Sequence, residues 1–168
     1  MIAFRQGNIK DISLIRELTF KIWPETYGAI LSREQIDYML EMMYSPASLE
    51  QQMLEQGHRF IIAYEYSQPL GFASYAHKEN NSAAYKLHKI YVLPDLQGKG
   101  VGKKLIDHII QSILPADAKT LELNVNRHNT AKTFYEKQGF EIVRTEDIAI
   151  GNGYFMNDYV MEKKLGKS

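Results

Sequence analysis

The chain has 168 residues, about one domain's worth and enough to bury a sizeable core, so a single domain over 1–168 is expected. Lys plus Arg and Asp plus Glu are both 20, which leaves no net field to draw the protein to nucleic acid or an anionic membrane. Cysteine is absent, which excludes disulfides, thiolate metal sites and any acyl-cysteine intermediate.

The N-terminus, Met1-Ile-Ala-Phe-Arg-Gln-Gly, lacks the basic segment and apolar run of a signal peptide, and no later stretch reaches transmembrane length. A cytoplasmic location is therefore expected. A short strand is predicted from Ile2 to Arg5. Asp11 then reads as the N-cap of a helix with Ile12, Ile15, Leu18 and Ile22 on one face, ending at Pro24. Ser32 and Gln35 have capping-box spacing and open a second helix carrying Ile36, Met39, Leu40 and Met43. The methionines read as helix core, although methionine also suits an adaptable acceptor groove. A third helix runs from about Ala47 to Gln56.

Three strands follow, Arg59 to Tyr66, Leu70 to His77 and Tyr85 to Leu93, with turn signals at Ser67-Gln68-Pro69 and Glu79-Asn80-Asn81. They read as a meander of hairpins. Leu105, Ile106, Ile109, Ile110 and Ile113 form a helical stripe that stops at Pro115, and Leu121 to Val125 is a further strand. Asn129 sits where an N-cap belongs, with Ala131 and Phe134 inward and Gly139 as the C′ residue. Strands from Phe140 to Ile150 and Tyr154 to Lys164 complete the chain. This order predicts an α/β sheet with helices on its faces.

Between the third of the meander strands and the stripe lies Gln97-Gly-Lys-Gly-Val-Gly102. Glycines at alternate positions allow positive φ or a close backbone approach, so successive N–H groups can converge on one anion. The helix behind them adds free first-turn amides and the positive end of its dipole. The spacing is neither the dinucleotide fingerprint nor a P-loop, which lacks here its Gly-Lys-Ser/Thr. Alone, the loop is equally consistent with phosphate binding and with a tight structural turn.

Its context is Leu87-His-Lys-Ile-Tyr-Val-Leu-Pro-Asp-Leu-Gln-Gly-Lys-Gly-Val-Gly-Lys-Lys-Leu-Ile106, then Asn124-Val-Asn-Arg-His-Asn-Thr-Ala-Lys-Thr-Phe-Tyr-Glu-Lys-Gln-Gly-Phe140. These two blocks resemble the GNAT family of N-acetyltransferases. The first matches its acetyl-CoA signature, Gln/Arg-x-x-Gly-x-Gly/Ala after Val-x-Pro. The second matches its Asn-x-x-Ala-x-x-Phe-Tyr-x-x-x-Gly-Phe segment. Phe20-Lys-Ile-Trp-Pro-Glu-Thr-Tyr-Gly28, Ser32-Arg-Glu-Gln35 and the tail from Gly151 to Met161 look like the PaiA branch, whose members acetylate polyamines.

The resemblance implies a mixed, largely antiparallel α/β sheet flanked by helices, with two central strands splayed apart. It implies acetyl-CoA as co-substrate, no metal, a small amine acceptor and a homodimer through the final strands. The amides of Gln97, Gly98, Lys99, Gly100, Val101, Gly102 and Lys103 would hold the CoA pyrophosphate. Ile90, Tyr91 and Val92 would pair with pantetheine, whose amides are spaced like a short peptide and suit an open strand edge. Asn129, Phe134 and Lys137 would also contact the cofactor. Lys99, Lys103 and Lys104 can add phosphate contacts, or simply be solvated.

In that motif Tyr135 takes the role of general acid, since a departing thiolate needs a proton and a hydrogen-bonded phenol can supply it. The ammonium acceptor must in turn lose one. Candidates to accept it are His88, two residues before Ile90, and Glu25 or Tyr27 from the substrate-facing helix; Glu25 and Tyr27 can equally bind the acceptor. An oxyanion is expected to meet a backbone N–H between Ile90 and Val92. His58, His77, His108 and His128 share no metal-binding spacing. Two other readings stay open, a non-catalytic acyl-CoA sensor and acetylation of a protein amino group, an aminoglycoside or an amino acid derivative. Carboxylates one polyamine spacing apart in the acceptor groove would favour a polyamine; an apolar or basic lining would not.

Overall fold

A computed structural model describes residues 1–78 and 83–166, so the turn expected at Glu79-Asn80-Asn81 lies outside the described residues. The chain runs β1 (Ala3–Gln6), α1 (Ile12–Tyr27), α2 (Arg33–Tyr44), α3 (Pro46–Leu54), β2 (Arg59–Glu65), β3 (Gln68–His77), β4 (Ala84–Val92), α4 (Val101–Ile113), β5 (Thr120–Asn126), α5 (Ala131–Lys137), β6 (Glu141–Gly151) and β7 (Tyr154–Lys164). The strands form one seven-stranded sheet in the order β1-β2-β3-β4-β5-β7-β6. Every neighbouring pair is antiparallel except β4 and β5. The mixed α/β sheet expected from the sequence is thus the fold. Among the described residues, no helix is long and apolar enough to cross a membrane.

Three helix boundaries depart from the sequence reading. Asp11 makes no side-chain cap on α1; its carboxylate closes a capping box on the preceding 3₁₀ turn, accepting from the Asn8 N–H at 2.9 Å. α1 also runs through Pro24 to Tyr27. Proline removes only the bond to the Phe20 carbonyl, on an exposed residue where water can replace it. The last turn is then held by Tyr27, whose ring packs on Trp23 at 4.6 Å and whose hydroxyl bonds that of Tyr91 at 3.0 Å. The N-cap of α5 is Thr130 rather than Asn129, although the Asn129 Oδ1 accepts from the Ala131 N–H at 2.9 Å. Ser32 caps α2 as expected, accepting from the Gln35 N–H.

Cores form on both faces of the sheet. One packs α4 through Leu105, Ile106, Ile109 and Ile113 against β3, β4 and β5. The other packs Ile15, Leu18, Ile22 and Trp23 of α1, with Ile36 and Met39 of α2, against Phe60, Ile62 and Phe72. Leu105 is fully buried, so Leu105→Ala is expected to cost about 2–5 kcal/mol, read as a lowered urea midpoint with the slope unchanged.

A bulge in β4 positions the site. Ser74 pairs with Lys89 and Tyr75 with Leu87, leaving His88 as the extra residue. Leu87 and Lys89, two apart, therefore face opposite cores: Leu87 packs on the α4 side, while Lys89 lies against the rings of Tyr44 and Phe60. At the same point β4 leaves β5. Their parallel pairing covers only Ala84 to Leu87 against Thr120 to Leu123, and β5 continues on β7 alone.

Candidate active site

Parting of β4 from β5 opens a cleft of about 800 Å³ whose walls include Ile90, Tyr91 and Val92, Gln97, Gly98 and Gly100 to Gly102, and Asn129, Phe134 and Tyr135. From His88 to Val92 one edge of β4 has no strand partner, so its amide and carbonyl groups face the cleft. The last pair before the divergence is Leu87 on β4 with Leu123 on β5.

The edge leads into the glycine loop. Gly98 and Gly100 have φ of +83° and +84°, and Gly100, as the left-handed N-cap of α4, turns the chain so that the first-turn amides point outward. A Cβ at Gly102 would stand 3.3 Å from the Phe134 ring, so that glycine lets α4 and α5 close together at the mouth. Not every amide from Gln97 to Lys103 is free. Those of Gln97 and Lys99 bond the carbonyls of Pro94 and Leu96 within the turn. Gly98, Gly100, Val101, Gly102 and Lys103 keep theirs without a protein acceptor among the described residues. Five unspent N–H groups at a helix N-terminus make an anion cradle.

The lysines are less engaged. Lys103 reaches the cleft wall, but its Nζ pairs with Asp107 at 2.8 Å. Lys99 and Lys137 are exposed and stand outside the cleft lining, as does Lys104.

Tyr135 is the buried residue of α5, its ring wedged edge-on between Phe134 at 5.4 Å and Phe140 at 5.9 Å. No protein hydrogen bond is made by its hydroxyl among the described residues, and the residue lines the cleft. Burial pushes its pKa upward, and Tyr27 adds to the shift, so the phenol keeps its proton across the physiological range.

Of the candidate bases, His88 lies at the fork, stacked on His58 with centroids 4.0 Å apart. Loss of solvation in the stack, then the charges of His58, Lys86 and Lys89, lower its pKa, although the residue itself stays exposed. A lowered histidine pKa extends the neutral form to more acid pH. The imidazole can relay a proton but holds one poorly. The profile of kcat/KM from pH 5 to 8 is therefore expected to show no limb that disappears in His88→Gln; loss of a limb near pH 6.5 would restore His88 as the base. Glu25 is exposed and lines the cleft, while Tyr27 is tied to Tyr91 with its pKa raised by burial, so the Tyr27 phenol is not poised to accept a proton.

Sequence reasoning missed a second pocket, of about 210 Å³, on the face covered by α1 and α2. It shares Tyr27, His88, Lys89, Tyr91 and Asn124 with the cleft and adds Trp23, Tyr44, Phe155, Lys86 and Asp158. Asp158 is 4% exposed, accepts from Asn124 Nδ2 at 3.1 Å, and has its pKa raised by burial. The signal was present in the strand period: Asp158 falls between Met156 and Val160 on the inward face of β7, where an apolar residue is the rule. Among the described residues, no cluster of side chains suits a metal ion.

A family model described as "Acetyltransferase (GNAT) domain" matches residues 29–163. The chain belongs to the GNAT family. The uncharacterised N-acetyltransferase YuaI of Bacillus subtilis is 24% identical over 163 residues, covering 90% of this chain and 92% of its own. The peptidyl-lysine N-acetyltransferase YjaB of Escherichia coli is 27% identical over 135 residues, covering 79% and 81%. Among solved structures, the PaiA N-acetyltransferase of Thermoplasma acidophilum in complex with coenzyme A superposes with a TM-score of 0.81 at 26% identity, covering 98% of this chain and 99% of that one. The protein is an acetyl-CoA-dependent N-acetyltransferase.

Proposed function

We propose that the protein transfers the acetyl group directly from acetyl-CoA to a small primary amine within a ternary complex. The observation that carries this is the continuity of the unpaired β4 edge, the five free amides and the Tyr135 hydroxyl along one cleft. Pantetheine would extend the sheet along Ile90 to Val92, the diphosphate would sit at Gly98 to Lys103, and the thioester would lie at the fork. That the PaiA structure holds coenzyme A supports this order.

In the reaction the amine nitrogen attacks the thioester carbonyl, whose oxygen turns toward a β4 main-chain N–H. As the carbon–sulfur bond breaks, Tyr135 gives its proton to the CoA sulfur and recovers one from the nitrogen of the new amide. Both partners in that transfer are desolvated, so the raised pKa of the phenol is met by a more basic thiolate.

The polyamine acceptor implied by the PaiA likeness draws little support from the second pocket, which sets one carboxylate, Asp158, beside Lys86 and Lys89. Thiol release from acetyl-CoA, followed with and without a broad panel of primary amines, tests the proposal. Amine-dependent release is expected; tight CoA binding with no release for any amine would instead support an acyl-CoA sensor.

A further inference from the structure

The smaller pocket carries charges of both signs without pairing them. Asp158 makes no ion pair among the described residues, and its one side-chain partner is the neutral Asn124 amide. Lys89 is 8% exposed, donates to the neutral Gln52 Oε1 at 2.8 Å, and otherwise faces the rings of Tyr44 and Phe60 at 5.2 and 5.9 Å. A cation so buried without a carboxylate is costly, and burial pulls its pKa down to about 8. Lys86 stands close enough to influence both Lys89 and Asp158. Trp23, 1% exposed, has an indole N–H that closes no hydrogen bond, although the residue lines the pocket. An unpaired buried carboxylate, two unpaired lysines and an orphaned donor thus surround one small space.

Resting on the acetyl-transfer reading above, we propose that this pocket is the acceptor subsite and takes a small zwitterionic amine of amino-acid type. Asp158 receives the ammonium, Lys86, Lys89 and the Trp23 N–H receive the carboxylate, and the apolar body lies among aromatic and methionine side chains. Each buried polar group would then gain the partner it lacks. A polyamine would fill the same space with a second cation beside two lysines, a like-charge contact that works against it.

The proton follows from the same arrangement. Asp158 accepts one proton from the bound ammonium and passes it to solvent, which frees the nitrogen lone pair for attack on the thioester. The second proton leaves the nitrogen as the tetrahedral intermediate collapses, and it replaces the one that Tyr135 has given to sulfur. The sum is one acetylated amine, one free thiol and one proton released.

The test compares kcat/KM for apolar amino acids, for the amines obtained by removing their carboxyl groups, and for spermidine, all on the unmodified enzyme. Each amino acid is expected to exceed its decarboxylated counterpart by about tenfold or more, and spermidine by a wider margin, because a site built for a polar group rejects the analogue lacking it. Lys89→Met should bring the first ratio down to near one, with near-ultraviolet circular dichroism confirming an intact fold. Equal or better use of the decarboxylated amines or of spermidine overturns this proposal and leaves acetyl transfer standing. A full ratio in Lys89→Met overturns the part given to Lys89. Turnover with none of the three groups, while acetyl-CoA still binds, overturns both readings.

Discussion

Tyr135→Phe is expected to lower kcat by about 10²- to 10⁴-fold, the range of a positioned general acid, while the affinity for CoA changes by less than about twofold. The barrier would rise by about 3–5 kcal/mol. The variant isolates one oxygen. Phenylalanine keeps the ring that packs between Phe134 and Phe140, and the hydroxyl it removes bonds no protein group among the described residues, so the core should not register its loss. Single-turnover kinetics with isothermal titration of CoA checks both halves. An unfolded variant, or one with kcat within threefold of the parent, would return Tyr135 to the role of a packing residue. Because burial raises the phenol's pKa, no falling limb from Tyr135 is expected in kcat below about pH 10.

Much of this site could be read from residue order. The strand at Tyr85 to Leu93, the Gln97 to Gly102 loop and the α5 segment with Tyr135 are local patterns, and local patterns survive into the fold because neighbours along the chain decide them. The sequence could not show the β4 bulge. His88 reads as one more strand residue, and only its pairing partners reveal that Ser74 skips it to reach Lys89. That skip places Lys89 among aromatic rings and holds His88 in a stack with His58. Asp158 was hidden for a related reason: its surroundings come from β5, α1 and β4, up to 135 residues away in sequence and brought together by the sheet. Pro24 misled in the opposite direction, because a local rule for ending helices yielded to tertiary contacts made by Tyr27.

The glycine loop admits an equally sharp test. Gly100→Val is expected to weaken acetyl-CoA binding by about tenfold or more, since a β-branched residue at φ +84° is strained by roughly 1–3 kcal/mol and the loop would relieve that strain by turning its amides away. No heavy atom lies within 4 Å of a Cβ built at Gly100, so backbone conformation rather than a clash is what the substitution changes. Acetylpantetheine separates the causes, because it carries the thioester and the peptide-like amides but no diphosphate. The parent enzyme should prefer acetyl-CoA strongly over acetylpantetheine, and in Gly100→Val that preference should collapse, measured as the ratio of the two kcat/KM values. An unchanged ratio alongside a general loss of activity would mean that the loop supports the fold without holding phosphate. A collapsed ratio would tie the five unspent amides to the diphosphate and, through the continuous β4 edge, fix where the thioester stands relative to Tyr135.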